Sequence, residues 1–555
     1  MSINWNNLRP WGGSQHTAFE EVVCQLARHE EVADRTLFRR KGTPDGGVEC
    51  YWTLSGGEEW AWQAKFFPSG VTSAQWGQID ESVRTALDKH PRIIRYFVCV
   101  PLDRPDPRKI TKSGEPERWL MDHWNEHVVT WETWARERSM EVSFEFWGES
   151  EIADRLALSR HQGRRKFWFD EDFLSDQWFR DRFAEAKADA DERYTPEVNV
   201  NLPVARLFDG LSCSSRFRER LRQRTLPLKK AYSNVAGRRA AVGWADSLEA
   251  GQLKSHMDVL LPLLTDFNDP NVFPMNAGSL RKSIQDAAVA AWDYAEALAL
   301  DAESQDQVDT DTTLADALRQ QQYDRYSLRS LSDELTDLDE FLASDEATLA
   351  QTPTLFLSSD AGKGKTHLFC DVTRRRVEEG FPALLLLGQW FGDGDPWQQI
   401  LNRAGLDCTK DELLGALEAA AEARGGRALL LIDAINEGYG QHLWPKNLAG
   451  FLTLLRSYPR VGIAVSVRSS YWSSLVPKSV ATSSGIVHAV HPGFSGREYE
   501  AMRAYFTYFG IAPPSFPILT PEFSTPLFFE SVLSGTARHR SHQLPGTVAR
   551  HHVGV

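Results

Sequence analysis

The sequence of 555 residues has few cysteines, no long apolar runs and no excess of positive charge. Its six cysteines are scattered, without a CxxC pair or a histidine partner at zinc spacing, which favours reduced thiols in a cytosolic protein over disulfides or a zinc site. The longest apolar runs, 383–387 and 428–432, have the length of strands and are too short to span a bilayer. The N-terminus has no basic segment followed by an apolar core, so it is not a signal peptide. We expect a cytoplasmic protein that does not bind membranes.

The charge balance excludes non-specific coating by nucleic acid. Lys and Arg number 62 against 76 Asp and Glu, a formal net charge of -14, so any DNA contact must come from a local patch. Two basic runs, 39–41 and 164–166, are candidate phosphate contacts, with a solvated turn as the alternative. Most of the 19 tryptophans lie before residue 180, where core positions are the more common use of this side chain.

The length and the order of patterns predict a multidomain α/β protein. Residues 1–175 alternate short helical and strand patterns, and residues 176–325 read mostly as helix. An acidic joint at 301–316 has the composition of a solvated, flexible connector. From 326 onward, near-continuously apolar strands alternate with helices, which predicts a parallel sheet covered on both faces. The predicted strands there are 354–357, 383–387, 428–432 and 462–467.

A loop rich in glycine and lysine follows the first of these strands and precedes a helix. It reads Ser-Asp-Ala-Gly-Lys-Gly-Lys-Thr over 359–366, which is the Walker A pattern with Ser359 at the position of its first glycine. Backbone N–H groups and Lys365 would bind nucleotide phosphates, and the Thr366 hydroxyl would bind Mg²⁺. The predicted nucleotide-binding residues of the loop are Asp360, Ala361, Gly362, Lys363, Gly364, Lys365 and Thr366.

A second apolar strand ends in acid, as a Walker B strand does. Asp433 closes the strand and would hold Mg²⁺ through water, while Glu437 or Asn436 would orient the attacking water. Arg468 follows the strand 462–467 and would sense the terminal phosphate, with a plain salt bridge as the alternative. The three elements in this order predict an NTPase core.

The N-terminal region contains a predicted hairpin with acids, an amide and a lysine. Side chains alternate between the two faces of a strand, so residues an even number of positions apart share a face. On this rule Asp45 and Glu49 share a face at the first predicted strand, and Gln63 and Lys65 share a face of the second. Carboxylates that bind Mg²⁺ and a lysine near the nucleophile are what phosphodiester hydrolysis requires. The alternative is a surface hairpin with solvated charges.

These motifs resemble two known families. The hairpin resembles the Mrr-like form of the PD-(D/E)xK nucleases, in which Gln replaces the second acid. That resemblance implies metal ligands at Asp45 and Glu49, a degenerate ligand at Gln63, a catalytic lysine at Lys65 and a helix acid at Glu20. The strings 432–437 and 466–471 resemble STAND NTPases. There the turn containing Pro526 would contact bound nucleotide, with an ordinary helix start as the alternative.

The combination resembles the antiviral STAND (AVAST-type) defence ATPases of bacteria. It implies a Mrr-like nuclease domain at 1–175, a helical linker at 176–325, a P-loop STAND NTPase core at 326–490 and the start of a helical or winged-helix region at 491–535. ATP and Mg²⁺ are the implied cofactors and double-stranded DNA the implied substrate. A phage protein would trigger assembly into a homo-oligomer. Family members continue into a long C-terminal sensor, whereas here a histidine-rich tail, 536–555, is expected to be disordered and suggests a truncated chain.

Three functions follow from these residues. The first is an ATP-regulated, Mg²⁺-dependent DNA endonuclease of antiphage defence. The second is a non-catalytic nucleotide-switched scaffold or a truncated, inactive fragment, which the glutamine at 63 leaves open. The third is an ATP-dependent restriction translocase, which would need helicase motifs that the sequence lacks.

Overall fold

Two five-stranded sheets, separated in sequence by long helices, make up the mixed α/β chain. The computed structural model describes residues 3–42, 45–103, 120–242, 247–269, 272, 277–305, 312–513, 521–529, 531 and 533. The predicted tail 536–555 lies outside these residues. Within the described part of the chain, no helix has the length and apolar character needed to cross a membrane. The six cysteines are free, in accord with the prediction.

The N-terminal sheet combines an antiparallel meander with a parallel half. Its strands are β1 (Arg35–Arg40), β2 (Cys50–Leu54), β3 (Glu59–Ala64), β4 (Ile93–Cys99) and β5 (Ser143–Trp147), in the spatial order β1-β2-β3-β4-β5. The first three strands pair antiparallel, and β3, β4 and β5 pair parallel. Its helices are α1 (Gln15–Arg28), α2 (Ser73–Lys89), α3 (Leu120–Glu137), α4 (Glu149–Ala157) and α5 (Gln162–Phe169), and α6 (Asp176–Ala190) follows them in the chain.

The two faces of this sheet bury different cores. The core on the side of α2 and α3 includes Trp76, Ile79 and Trp131. The core on the side of α1 includes Phe19, Trp62 and Trp168 and continues into the C-terminal half of the chain. Trp62 stacks on Phe97 of the neighbouring strand with ring centroids 4.5 Å apart. The many N-terminal tryptophans thus serve packing, as predicted.

Four long helices and two short ones form the middle of the described chain. They are α7 (Arg206–Ser212), α8 (Ser215–Val242), α9 (Leu248–Asn268), α10 (Ala277–Gln305), α11 (Thr312–Ala343) and α12 (Asp345–Gln351). Arg281 pairs with Asp339 at one end of α10 and α11, and Gln321 donates to the Leu298 carbonyl near the other, which fixes their antiparallel arrangement. Leucines and alanines of the four long helices bury a separate core.

The sequence predicts that the acidic joint at 301–316 is a flexible connector. In the structure α10 continues to Gln305 and α11 begins at Thr312, so the described part of this segment has helical backbone. Asp306, Asp309 and Asp311 lie outside the described residues.

The C-terminal sheet is wholly parallel. Its strands are β6 (Thr354–Ser359), β7 (Ala383–Leu387), β8 (Ala428–Asp433), β9 (Val461–Arg468) and β10 (Val487–Val490), in the spatial order β10-β6-β9-β8-β7. Its helices are α13 (Lys365–Glu378), α14 (Pro396–Ala404), α15 (Lys410–Ala423), α16 (Gly440–Leu455), α17 (Trp472–Leu475), α18 (Lys478–Ala481) and α19 (Glu498–Tyr508). The four predicted strands are present, and β10 is an additional edge strand paired with β6.

The two sheets are joined by a close helix contact. Helix α5 packs on α15 so tightly that a Cβ on Gly163 would lie 2.3 Å from the Glu412 carbonyl oxygen. Gly415 faces it on α15, with Gly163 Cα 3.3 Å from the place of a Gly415 Cβ. Only glycines permit the two backbones to approach this closely.

Candidate functional site

The loop between β6 and α13 is shaped by two glycines in the left-handed region. Gly362 has φ +73° and Gly364 has φ +94°, conformations that residues with a Cβ rarely adopt. A Cβ on Gly362 would also lie 2.9 Å from the Leu527 side chain. The loop therefore curls back at the carboxyl end of a parallel strand and the start of a helix, where backbone N–H groups can bind an anion.

Lys365 is held by the loop itself. Its Nζ donates to the Ser359 Oγ at 2.7 Å and to the carbonyl oxygens of Ser359 and Asp360 at 3.0 Å each. Burial lowers the pKa of Lys365, and the nearby Asp433 opposes that shift. The serine at the first glycine position thus supplies one of the three acceptors for this ammonium group.

Thr366 and Asp433 meet at the carboxyl edge of the sheet. The Thr366 Oγ1 donates to the Asp433 Oδ2 at 2.6 Å, and the Ser466 hydroxyl donates to the other carboxylate oxygen. Strand β9 lies between β6 and β8, so the contact is made across the strand ends and not by direct neighbours. A hydroxyl oxygen and a carboxylate oxygen at this distance are ligands that suit Mg²⁺.

A cavity of about 160 Å³ opens beside this pair. Arg468 lines it and lies 3.5 Å from Glu437, and the Arg468 N–H donates to the Asn436 Oδ1. Asn436 therefore supports the arginine backbone, and Glu437 is the acid that faces the cavity. The predicted residues that line the cavity are Ala361, Gly362, Lys363, Gly364, Lys365, Thr366, Asp433, Glu437, Arg468 and Pro526.

Pro526 lies against the glycine loop. Its Cγ is 3.2 Å from the place of a Gly364 Cβ, and the Leu527 N–H donates to the Gly362 carbonyl oxygen at 3.3 Å. Lys363 points toward the same segment and donates to Ser524 and Thr525 at 3.1 Å each. The segment 524–527 thus covers the loop from one side.

Arg193 enters this cavity without having been predicted as a site residue. It follows α6 and contacts Glu437 at 3.3 Å across 244 positions of sequence. No periodicity or motif spacing relates these two residues, so only the tertiary structure brings them together.

The N-terminal candidate residues form a second cluster. Gln63 Nε2 donates to Glu49 Oε1 at 2.7 Å, and the Asp45 carboxyl group is close enough to Glu49 to raise its pKa. Glu20 on α1 lies within electrostatic reach of Asp45 and Lys65. All five predicted residues are therefore close to one another.

The placement of Asp45 and Glu49 differs from the predicted strand parity. Both precede β2, because Gly46 (φ +67°) and Gly47 (φ +81°) form a turn. The Gly47 N–H donates to Asp45 Oδ1 at 3.0 Å, and the Tyr96 hydroxyl donates to the Gly47 carbonyl at 2.6 Å. The turn, and not strand alternation, directs Asp45 toward the cluster.

Burial gives this cluster an unusual protonation. Burial, with Cys24 and Glu20 adding to it, raises the pKa of Glu49 to about 9. Burial also raises the pKa of Glu20, and Lys65 opposes that shift. Two acids with raised pKa values in one cluster are typical of functional sites.

A metal ion would satisfy one atom of this cluster that the protein leaves without a partner. Gln63 is fully buried, and its Oε1 has no hydrogen-bond partner among the described residues. The same part of the chain contains no set of three or more His, Cys, Asp and Glu side chains arranged for a metal. The donor set here is two carboxylates and an amide, all oxygen ligands that suit Mg²⁺.

A cleft of about 640 Å³ adjoins the cluster between the glycine turn and α2. Asp45, Lys65, Lys89 and His90 line it. His90 Nδ1 lies 2.7 Å from Glu59 Oε2, so the other ring nitrogen is left for the cleft. The sequence offered no signal for this pair, because Glu59 and His90 belong to different elements.

The predicted phosphate contacts are largely engaged inside the protein. Arg39 donates to Asp266 at 2.5 Å, and Arg40 pairs with Glu21. Arg164 is 1% exposed and donates to Gln25, so it cannot reach DNA. Each of these three arginines is thus engaged by an acidic or amide side chain of the protein.

Comparison with known proteins adds little. No protein-family model matches the chain, and no curated protein matches its sequence. Among solved structures the chain is similar to AMPPCP-bound DnaA from Aquifex aeolicus, with 13% identity and a TM-score of 0.23. The match covers 35% of this chain and 59% of the DnaA chain. A TM-score this low does not establish a shared fold.

Proposed function

We propose that the chain is an ATP-regulated, Mg²⁺-dependent DNA endonuclease of bacterial antiphage defence. The observation that carries the proposal is the position of α1. Its Glu20 belongs to the acidic cluster, and its Arg28 forms an ion pair with Glu422 of α15, which leads into the Asp433 strand. One helix therefore contributes to the acidic cluster and also contacts the helix that precedes the Asp433 strand.

At the nucleotide site, the loop would bind the phosphates of ATP. Lys365 would exchange its loop acceptors for phosphate oxygens, and Thr366 and Asp433 would hold Mg²⁺. Glu437 faces the cavity and would orient a water molecule for attack.

At the nuclease site, Asp45, Glu49 and Gln63 would hold Mg²⁺, which when bound would activate water and stabilise charge on the scissile phosphate. Lys65 lines the cleft, where its ammonium group would stabilise the attacked phosphate. Glu20 would position Lys65 by charge, since the two groups interact.

The wider role rests on the resemblance to AVAST-type ATPases. Double-stranded DNA is the proposed substrate, a phage protein the proposed trigger, and assembly of several copies the proposed route to activation. The proposal is of a nuclease that stays inactive until chains assemble.

A nucleotide-switched scaffold is the second candidate function. The Glu49–Gln63 hydrogen bond and the raised pKa of Glu49 favour it, because a protonated acid paired with an amide is stable without a metal. Such a protein would bind DNA or a partner and cut nothing.

A plasmid-nicking assay with Mg²⁺, with and without ATP, separates these functions. We expect Lys65→Ala to abolish nicking and Lys365→Ala to abolish its dependence on ATP. Lys410→Ala, at an exposed lysine at the start of α15, is the control and should match wild type. Nicking that survives Lys65→Ala contradicts the nuclease assignment, and ATP binding without nicking by wild type favours the scaffold.

A further inference from the structure

Arg193 is anchored at the end of α6 and reaches across the nucleotide cavity. Its Nη1 donates to Glu437 Oε2 at 3.3 Å, and its Nη2 donates to Gln389 Oε1 at 3.3 Å. The same guanidinium group donates to the carbonyl oxygens of Asp189 and Ala190, the last residues of the helix. Its position is therefore set by backbone on one side and by an acid of the cavity on the other.

The residues that follow Arg193 are fixed to the helix that starts at the phosphate loop. His367 Nε2 lies 2.9 Å from the Thr195 carbonyl oxygen, which accepts a hydrogen bond from this ring nitrogen. The Tyr194 ring contacts the His367 ring with centroids 5.0 Å apart, and its hydroxyl accepts from Arg374 at 3.0 Å. His367 comes two positions after Lys365, so this segment is fixed to the first turn of the helix that follows the phosphate loop.

Glu437 is shared between two arginines. Arg193 lies 3.3 Å and Arg468 3.5 Å from its carboxylate. An acid engaged in this way is not free to orient water. A triphosphate would bring a stronger acceptor for a guanidinium group than one carboxylate, because phosphate carries more charge and accepts two parallel N–H bonds.

We propose that Arg193 distinguishes ATP from ADP. The terminal phosphate of ATP draws the Arg193 guanidinium away from Glu437. Oε2, the carboxylate oxygen that Arg193 holds, is then free to orient the attacking water, while Arg468 stays on Oε1. ADP lacks that phosphate, so the Arg193–Glu437 contact remains. This assignment rests on the proposed nucleotide-binding function and names how that site is regulated.

Because the Arg193 contact with Glu437 would differ between bound ATP and bound ADP, it also offers a route by which nucleotide binding could affect the rest of the chain. A ligand shifts a conformational equilibrium only by the difference in its binding to the two states. Arg193 makes that difference, since it contacts the α6 carbonyls as well as the cavity. Helix α6 lies directly after the N-terminal sheet and its helices in the chain.

The first test compares binding of ADP and of a non-hydrolysable ATP analogue to the full chain. We expect Arg193→Gln to leave the Kd for ADP within about twofold and to weaken the analogue about tenfold, the effect of one lost charge-assisted hydrogen bond. Arg193→Lys should recover part of the loss. Arg180→Gln, at an exposed arginine of α6, is the matched control and should bind both nucleotides as wild type does.

The second test is a double-mutant cycle. Glu437→Gln should tighten analogue binding, because it releases Arg193, and the gain should shrink when Arg193→Gln is added. Equal weakening of ADP and analogue by Arg193→Gln, or full additivity of the two changes, overturns the assignment. A wild-type chain that binds neither nucleotide overturns the proposed nucleotide function, and this assignment with it.

Discussion

Arg28 of α1 and Glu422 of α15 form a buried ion pair, with Nε 2.6 Å from Oε1 and the carboxylate side chain 1% exposed. The pair joins the N-terminal sheet region to the C-terminal one. Around it, Gln25 donates to the Ala419 carbonyl at 3.1 Å and accepts from Arg164 and Trp168. The junction is thus polar, buried and densely hydrogen-bonded.

Glu422→Gln should destabilise the protein strongly. Removing this charge deprives the largely buried Arg28 of this acid and leaves Arg164 with Glu418 as its remaining acid, which costs about 3–5 kcal/mol. Chemical denaturation of the full chain, followed by tryptophan fluorescence, measures the loss. Asp258→Asn, which breaks an exposed pair with Lys254 on α9, is the control and should cost less than about 1 kcal/mol. If the two variants lose the same free energy of unfolding, the buried pair stabilises the protein no more than an exposed pair does.

The histidines at this junction predict a pH dependence. Burial, with Arg164 close by, lowers the pKa of His29 to about 3 and that of His161 to about 2. Each contributes stability that is fully present above the unfolded pKa of about 6.5 and is lost as the pH falls toward the folded value. Between pH 7.5 and 5.5 the loss is about 1.4 kcal/mol for each histidine.

His29→Gln isolates one of these contributions. The glutamine oxygen can still accept from Arg164, so the hydrogen bond at 3.1 Å has a substitute that does not titrate. At pH 5.5 we expect the free energy of unfolding of the variant to exceed that of wild type by about 1.4 kcal/mol more than it does at pH 7.5. A constant difference at both pH values would mean that His29 titrates normally in the folded protein.

Ser359→Ala tests the departure from the glycine loop pattern. The change removes the 2.7 Å acceptor for Lys365 from the nucleotide-free loop, whereas bound phosphates would replace it. We expect ATP to bind roughly 2–10-fold more tightly, the value of one hydrogen bond. Ser358→Ala is the control, because that hydroxyl contacts His488 and not Lys365. Weaker binding in Ser359→Ala would instead make this hydroxyl part of the nucleotide-bound state.

Gly47→Ala should abolish nicking and leave ATP binding unchanged. A Cβ at Gly47 would lie 2.1 Å from the Ser82 carbonyl oxygen, so the turn that holds Asp45 must move away from α2. Gly46→Ala is a matched control, since its φ is also positive but its nearest neighbour would be 3.8 Å away. If both variants lose activity to the same extent, backbone strain and not the contact with α2 is the cause.

Local patterns predicted the elements that carry their own signal. The glycine loop, the apolar strands around it and the hairpin of β2 and β3 all depend on residues close in sequence. The individual strands β1, β4, β5 and β10 were not predicted. β10 is only four residues long and is stabilised by pairing with β6.

At the two candidate sites, the residues that the sequence could not place are those whose positions depend on a turn or on elements distant in sequence. Alternation along a strand could not place Asp45, because Gly46 and Gly47 turn the chain before β2 begins. Arg193 and His90 reach their cavities through packing of distant elements. Arg164 belongs to a basic run that the sequence places at the surface, yet its guanidinium group contacts three buried side chains on other helices, Gln25, Glu418 and Glu422.

The glycine contact between α5 and α15 has a mechanical consequence. Gly163 and Gly415 bring the two helix backbones into contact, so there is no room for a side chain between the helices at this point. A residue with a Cβ at position 163 would therefore force the two helices apart. An N-terminal module taken from another protein would have to bring its own version of α5, since the surface of α15 accepts only a helix with glycine at that point.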